Sequence, residues 1–118
     1  PGSFTGVRVG LAAARALALA WGVSAHGYST HSLVAAMALA ARPDAPAVDI
    51  VMTGGHGEYF TQSFDRSGLP CGPLASLLPE AARDACGADL VAGSMAEPLV
   101  AARALFALRL LPATAGLA

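Results

Sequence analysis

The segment AVDIVMTGGHGEYFTQSFD, residues 47–65, decides the fold class. Its first seven residues predict a buried strand, because they carry β-branched side chains at Val48, Ile50 and Val51. Residues 54–57, Gly-Gly-His-Gly, predict a turn in which glycine tolerates positive φ angles. Glu58–Asp65 then pairs back as the second strand of a hairpin. Helical and strand patterns alternate around this hairpin, so the sequence predicts a mixed α/β sheet.

The predicted elements on either side of the hairpin follow from capping and breaking residues. Upstream, we expect a helix at about Val7 to Trp21, with Ser3 or Thr5 as its N-cap and Gly22 at its end. A short strand or extended piece at Val23–Tyr28 and a helix at His31–Ala41 should follow. Downstream, we expect a loop at Arg66–Pro73, a helix at Pro79–Cys86, a strand at Asp89–Ala92, and a last helix capped by Ser94 that reaches about Leu110 and stops at Pro112.

The Pro-rich stretch Arg42–Pro46 is the best candidate for a boundary within the chain. It divides the sequence into residues 1–42 and residues 43–118. The chain opens with Pro1-Gly2 and without a methionine, so we expect it to be part of a larger protein.

The composition indicates a packed protein and excludes several functional classes. Of 118 residues, 55% are apolar and 13% are charged, and the net charge is −1. A chain without an overall basic surface is not expected to bind nucleic acid tightly and directly by itself. Cys71 and Cys86 do not have the spacing of metal ligands, and we expect two free thiols in a reducing compartment.

The sequence also predicts a cytoplasmic protein that does not enter a membrane. The longest apolar run, from Val9 to Trp21, is too short to span a bilayer and carries Arg15 in its middle. No signal peptide is recognisable.

The first helix has an unusual apolar surface. Val7, Leu11, Ala14, Ala18 and Trp21 form one stripe at helical spacing, and the other faces are mostly alanine and leucine. Only Arg8 and Arg15 mark a polar edge. Such a helix is covered either by residues that precede this sequence or by a partner chain, and the residues alone leave both alternatives open.

A search for catalytic chemistry finds neither catalytic residues nor metal ligands. His26, His31 and His56 do not match a zinc motif. Ser3 has glycines one before and three after it, which is not the spacing of a nucleophile elbow. The same segment lacks the lysine of a P-loop.

The first eleven residues, Pro1-Gly2-Ser3-Phe4-Thr5-Gly6-Val7-Arg8-Val9-Gly10-Leu11, resemble the Gly-Pro-Gly-Ser-Phe-Thr-Gly-Leu-Arg-Ile-Gly signature of the TsaB (YeaZ) family. Gly27-Tyr28-Ser29-Thr30 is similar to a second family segment at the start of the next helix. The resemblance implies an actin-like ATPase (ASKHA) fold of two ribonuclease-H-like lobes, here lacking its N-terminal strands. Residues 1–42 would end the first lobe, and residues 43–118 would form an incomplete second lobe.

The resemblance also implies a function. The family supplies a non-catalytic partner that binds and activates TsaD, the catalytic subunit, during synthesis of N6-threonylcarbamoyladenosine in tRNA, together with the ATPase TsaE. The implied signature loop consists of Pro1, Gly2, Ser3, Phe4, Thr5, Gly6 and Arg8, and the implied partner interface of Val7, Leu11, Ala14, Arg15, Ala18 and Trp21. No cofactor is expected on this chain alone, and ATP or ADP is expected only at the level of the complex. The alternatives are a glycoprotease-like (M22) hydrolase, a degenerate ATPase, and a homodimer that uses the same helix.

The sequence departs from the family in one place. The family has an Asp-Ala-Arg stretch before its Gly-Glu-x-Tyr-like strand, whereas this chain has Thr53-Gly54-Gly55-His56 there. This chain therefore lacks the acid and the arginine that the family has at this place.

Overall fold

The structure is a computed structural model that describes residues 3–110, with side chains up to residue 104. In chain order the elements are α1 (Phe4–Trp21), α2 (Thr30–Ala41), β1 (Ala47–Thr53), β2 (Tyr59–Asp65), β3 (Ala75–Leu77), α3 (Pro79–Ala85), β4 (Val91–Ala92) and α4 (Ala96–Leu110). The chain divides into two compact units, residues 1–30 and residues 31–118, which are described separately below.

The predicted hairpin is confirmed. β1 and β2 pair antiparallel along their whole length, from Ala47 opposite Asp65 to Thr53 opposite Tyr59. The turn between them differs in detail from the prediction, because the positive φ angles fall at His56 (55°) and Gly57 (77°). Gly54 is required for space instead: a Cβ atom there would lie 2.6 Å from the carbonyl oxygen of Glu58.

The predicted mixed sheet is also confirmed, with four strands in the order β3-β2-β1-β4. β4 lies parallel to β1 and covers only the last two residues of the predicted strand at Asp89–Ala92. β3 was not predicted. It pairs antiparallel with β2 over three residues, too few to show a strand periodicity in the sequence.

Both faces of the sheet are covered by helices. On one face, Ala35 of α2 packs with Val48, Ile50 and Phe64, all of them fully buried. On the other face, Val51 packs with Ala82 and Cys86 at α3 and with Leu99 of α4. β1 is therefore the central strand, and it is buried from Val48 to Val51.

The observed element boundaries correct three predictions. α1 begins at Phe4 rather than Val7, since Ser3 is the N-cap, and Gly22 ends it in the left-handed conformation as expected. Residues 23–29 are irregular and form no strand. α3 ends one residue early, with Cys86 as its C-cap. Pro112 lies outside the described residues.

Ser94 does not cap α4, which begins at Ala96. Its hydroxyl oxygen accepts a hydrogen bond from the backbone N–H of Thr53 at 3.0 Å, at the end of β1. The preceding residue, Gly93, has a φ angle of 118° and passes so close to β1 that a Cβ atom would lie 2.3 Å from the carbonyl oxygen of Val51. β1 and β4 are therefore joined at their carboxyl ends by backbone contacts that only glycine permits.

The turn after β2 is organised by Asp65. Its carboxylate accepts hydrogen bonds from the hydroxyl of Ser67 at 2.5 Å and from the backbone N–H groups of Ser67 and Leu69. The hydroxyl of Ser67 is the main cause that lowers the pKa of Asp65 below its ordinary value. A short loop is thus fixed before the chain reaches β3.

Candidate functional site

The signature loop leads directly into α1. Pro1 and Gly2 lie outside the described residues. Ser3 has an extended backbone, and its hydroxyl oxygen accepts a hydrogen bond from the N–H of Gly6 at 3.0 Å, which satisfies one of the free donors at the helix start. A Cβ atom at Gly6 would lie 3.0 Å from that oxygen, so the cap favours glycine at this position. Thr5, the second capping candidate, lies inside the helix.

Phe4 and Arg8 lie one turn apart on α1 and contact each other. The guanidinium carbon of Arg8 stands 3.9 Å from the centre of the Phe4 ring, a cation–π contact that is open to solvent. Phe4 itself is 71% exposed. The aromatic ring and the charge are therefore available for contacts outside the unit.

α1 has no buried residue along its 18 residues. Val7, Leu11, Ala14, Ala18 and Trp21 lie on one face, since they recur at three- and four-residue spacing. In this stripe only Ala18 is half-buried. Arg15 lies beside the stripe on the polar edge that it shares with Arg8. The structure thus brings all six predicted interface residues onto one surface, which we call the α1 surface.

The sequence prediction missed apolar residues on the remaining faces of α1. Val9, Leu17 and Leu19 are exposed as well, and Leu19, at 85%, is the most exposed large apolar side chain among residues 3–104. The signal for them was the all-round apolar composition of the helix. A helix with this composition and no buried residue presents a contiguous apolar surface of the kind that marks interaction sites in soluble proteins.

The apolar run Val9–Trp21, which is too short for a bilayer by itself, forms part of the longer helix α1. Because α1 begins at Phe4, its 18 residues make it long and apolar enough to cross a membrane by length and composition alone. Length and composition alone are weak evidence for a membrane-spanning helix, since core helices of soluble proteins share them. Arg8 and Arg15 oppose insertion into a bilayer.

The three histidines lie in different environments. His31 is buried at the start of α2, where its Nε2 atom lies 3.1 Å from the carbonyl oxygen of Phe60. His26 and His56 are exposed. Within residues 3–110, no three His, Cys, Asp or Glu side chains come together in a group that could hold a metal ion.

The segment that departs from the family pattern has a structural role in this chain. Thr53 bonds to Ser94 through its backbone N–H and its hydroxyl, and the N–H of Gly54 donates to the carbonyl oxygen of Glu58 at 2.8 Å. Glu58 in turn accepts a hydrogen bond from the hydroxyl of Ser76 in β3. These contacts connect the hairpin turn to both neighbouring strands.

The sheet and the helices on its two faces define the class of the protein. A four-stranded mixed sheet in the order β3-β2-β1-β4, with helices on both faces, is an α/β architecture consistent with part of an actin-like, ribonuclease-H-like fold. Residues 1–69 match the family model described as "TsaD: tRNA N6-adenosine threonylcarbamoyltransferase". This match covers more than half of the chain, and the chain belongs to that family.

Solved structures support the same fold. YeaZ from Pseudomonas aeruginosa is 20% identical, with a TM-score of 0.64 over 92% of this chain and 64% of its own. A second structure, described as an uncharacterized protein with similarity to peptidase YEAZ from Pseudomonas aeruginosa, is 22% identical, with a TM-score of 0.65 over 92% of this chain and 62% of its own. The chain therefore spans less than two thirds of these proteins. A search of curated proteins found no significant match. The family resemblance and the fold class predicted from the sequence are confirmed.

Proposed function

We propose that this chain belongs to a non-catalytic, cytoplasmic subunit of the TsaB type, which binds and activates a TsaD catalytic subunit through the α1 surface. The observation that carries the proposal is the exposure of α1. Eighteen residues of mostly apolar character have no buried member, and Trp21 is 69% exposed. Contiguous apolar surface of this kind marks interaction sites in soluble proteins.

The chemistry of the α1 surface suits a second helix better than a small ligand. Alanine and glycine residues between the large side chains let another helix approach closely, because the distance between helix axes depends on side-chain size. Trp21 and Arg8 supply the residue types that dominate binding energy in interfaces. The stripe of Val7, Leu11, Ala14, Ala18 and Trp21 runs the length of the helix, so a partner helix can pack along it.

Membership of the family supports the biological context of the proposal. The family model concerns threonylcarbamoyl transfer to adenosine in tRNA. In the proposed complex TsaD performs the transfer and a TsaE-type ATPase assists. ATP or ADP enters at the level of the complex, and we assign no nucleotide and no tight tRNA contact to this chain alone.

The proposal is tested with the cognate TsaD. Size-exclusion chromatography with light scattering on the mixture should give a one-to-one complex, and threonylcarbamoyl incorporation into tRNA by TsaD should rise when this protein is added. A homodimer or monomer that persists beside TsaD, with unchanged incorporation, would overturn the proposal. A glycoprotease-like hydrolase would instead lose its activity in the Ser3→Ala variant, and a degenerate ATPase would bind nucleotide in titrations without TsaD.

A further inference from the structure

Both cysteines of the chain line a single cleft on the face of the sheet that α3 covers. The cleft has a volume of about 360 Å³ and is formed by β2, β3, the loop at residues 71–73 and the end of α3. Cys71 is exposed at its rim, whereas Cys86 is buried, with 3% of its surface accessible. Neither cysteine is used in the proposed partner contact, and both are free thiols in the structure.

Cys71 is placed by strand pairing rather than by a free loop. Pro70 forms an antiparallel bridge with Phe64, and the N–H of Cys71 donates to the carbonyl oxygen of Ser63 at 2.8 Å. Cys71 therefore stands opposite Ser63 along β2. Residues opposite one another in an antiparallel pair share a face of the sheet, so Cys71 lies on the face that carries Ser63.

Cys86 reaches the same place from the opposite wall of the cleft. It is the C-cap of α3 and packs with Val51. Its neighbour is Asp49, whose buried carboxylate accepts hydrogen bonds from the hydroxyl of Ser63 and from the N–H of Ala88. Ser63 therefore pairs with Cys71 through the backbone and donates its hydroxyl to Asp49, whose charge acts on Cys86.

We propose that Cys71 and Cys86 are a redox pair, which low-molecular-weight disulfides oxidise to an intramolecular disulfide that ties the loop after β2 to the end of α3. The shared cleft gives a small disulfide access to Cys71, and the second sulfur belongs to the lining of the same cleft. The cross-link closes residues 71–86 into a covalent loop and ties residues 71–74, which lead into β3, to the end of α3.

The oxidation proceeds by two thiol–disulfide exchanges. The thiolate of Cys71 attacks one sulfur of the small disulfide, forms a mixed disulfide and releases one small thiol. Cys86 loses its proton to solvent base, and its sulfur attacks the Cys71 sulfur of the mixed disulfide. The protein disulfide forms, the mixed disulfide breaks, and the second small thiol leaves. Two cysteine thiols are oxidised, and one small disulfide is reduced to two thiols.

The environments of the two sulfurs set the order of these steps. Burial, with Asp49 as the second cause, raises the pKa of Cys86 to about 11, so it holds its proton at neutral pH. Cys71 is open to solvent and reacts first. The second exchange is therefore the slower one, and it accelerates as the pH rises toward the pKa of Cys86.

The experiment uses oxidised glutathione as the oxidant, followed by denaturation, alkylation with N-ethylmaleimide and tryptic mapping without reductant. Arg66, Arg83 and Arg103 place the two cysteines in separate tryptic peptides, residues 67–83 and 84–103. In the unsubstituted protein we expect a disulfide to link these two peptides. The linked peptides should carry neither glutathione nor N-ethylmaleimide, and they should come from monomeric protein. Dithiothreitol should restore two alkylated cysteines.

Two variants separate the steps. Cys86→Ala, which keeps a small apolar side chain in the buried position, should retain glutathione on Cys71, because no second thiol can displace it. Cys71→Ser should acquire no glutathione, since the remaining thiol is buried. A stable glutathione adduct on Cys71 of the unsubstituted protein, with Cys86 still open to alkylation after denaturation, would overturn the proposal. Linkage found only in covalent dimers would overturn it as well.

Discussion

Replacing Gly93 with alanine should destabilise the protein strongly, because the added methyl group has no room beside the central strand. The new Cβ atom would lie 2.3 Å from the carbonyl oxygen of Val51 and 3.0 Å from the sulfur of Met52. The methionine sulfur can move, whereas the Val51 carbonyl belongs to the central strand β1, which is buried from Val48 to Val51. The φ angle of 118° is one that residues other than glycine rarely adopt.

The size of the effect follows from two separate costs. Holding a non-glycine residue in a disfavoured backbone conformation costs about 1–3 kcal/mol. Forcing an additional carbon into a packed site costs a further ~1–3 kcal/mol. Their sum, about 2–6 kcal/mol, corresponds to a fall in Tm of about 8–24 °C, at roughly 4 °C per kcal/mol for a domain of this size.

The matched control is Gly87→Ala, at which a Cβ atom meets nothing within 4 Å and φ is not positive. Thermal unfolding of both variants, followed by circular dichroism, provides the comparison. We expect Gly87→Ala to melt within a few degrees of the unsubstituted protein and Gly93→Ala to melt far lower. Equal melting temperatures for the two variants would show that β1 and β4 do not approach each other as described.

Three further predictions concern the cap of α1, the buried thiol and the sheet core. Ser3→Ala should speed amide hydrogen exchange at Gly6 by about fivefold, because the loss of an N-cap costs about 1 kcal/mol; exchange at an unchanged rate would contradict the cap. The free energy of unfolding of the unsubstituted protein should fall, relative to that of Cys86→Ala, between pH 9 and pH 11. The reason is that the folded state keeps a thiol proton that the unfolded chain releases above pH 9. The full shift in the pKa of Cys86 would correspond to about 2.7 kcal/mol. We expect urea unfolding to show roughly half of it, since water in the open cleft screens the charge. A difference between the two proteins that does not change with pH would contradict the burial of the thiol. Phe64→Ala should cost about 3–5 kcal/mol in the same assay, because the ring is fully buried; a loss below ~1 kcal/mol would contradict its place in the core.

The hairpin could be predicted from the sequence because its signals are local. β-branched residues at Val48, Ile50 and Val51 specify a buried strand, and a glycine-rich turn separates it from its partner. The position of the positive φ angles could not be predicted, since glycine at residue 54 is required by the approach of the Glu58 carbonyl rather than by its own backbone conformation. Short-range patterns show that a turn exists but not which residue bends it.

The errors at β3 and Ser94 have a common physical cause. β3 forms because β2 offers it hydrogen bonds, and three residues are too few to show the periodicity of a strand in the sequence. Ser94 precedes a helix and has the chemistry of an N-cap, yet its hydroxyl is engaged by Thr53, which is 41 residues distant in the sequence. Contacts between distant residues decide both cases, and no local propensity encodes them.

The candidate interaction surface was predictable in its pattern but not in its exposure. Helical spacing alone placed Val7, Leu11 and Trp21 on one face. Their exposure, between 51% and 69%, depends on which residues cover the helix, and the sequence alone allowed burial as well. The structure of residues 3–30 leaves this face open within its own unit.

The most direct test of the central claim compares two charged variants of α1 for binding to the cognate TsaD. Leu11→Glu combined with Ala18→Glu puts two carboxylates on the apolar stripe. Ala12→Glu puts one on the polar edge, where Arg8 and Arg15 lie one turn away on either side. Size-exclusion chromatography with light scattering should show a one-to-one complex for the unsubstituted protein and for Ala12→Glu, and none for the double variant, with unchanged circular dichroism in all three. Undiminished binding by the double variant would contradict the proposal that α1 is the surface on which this protein meets its partner.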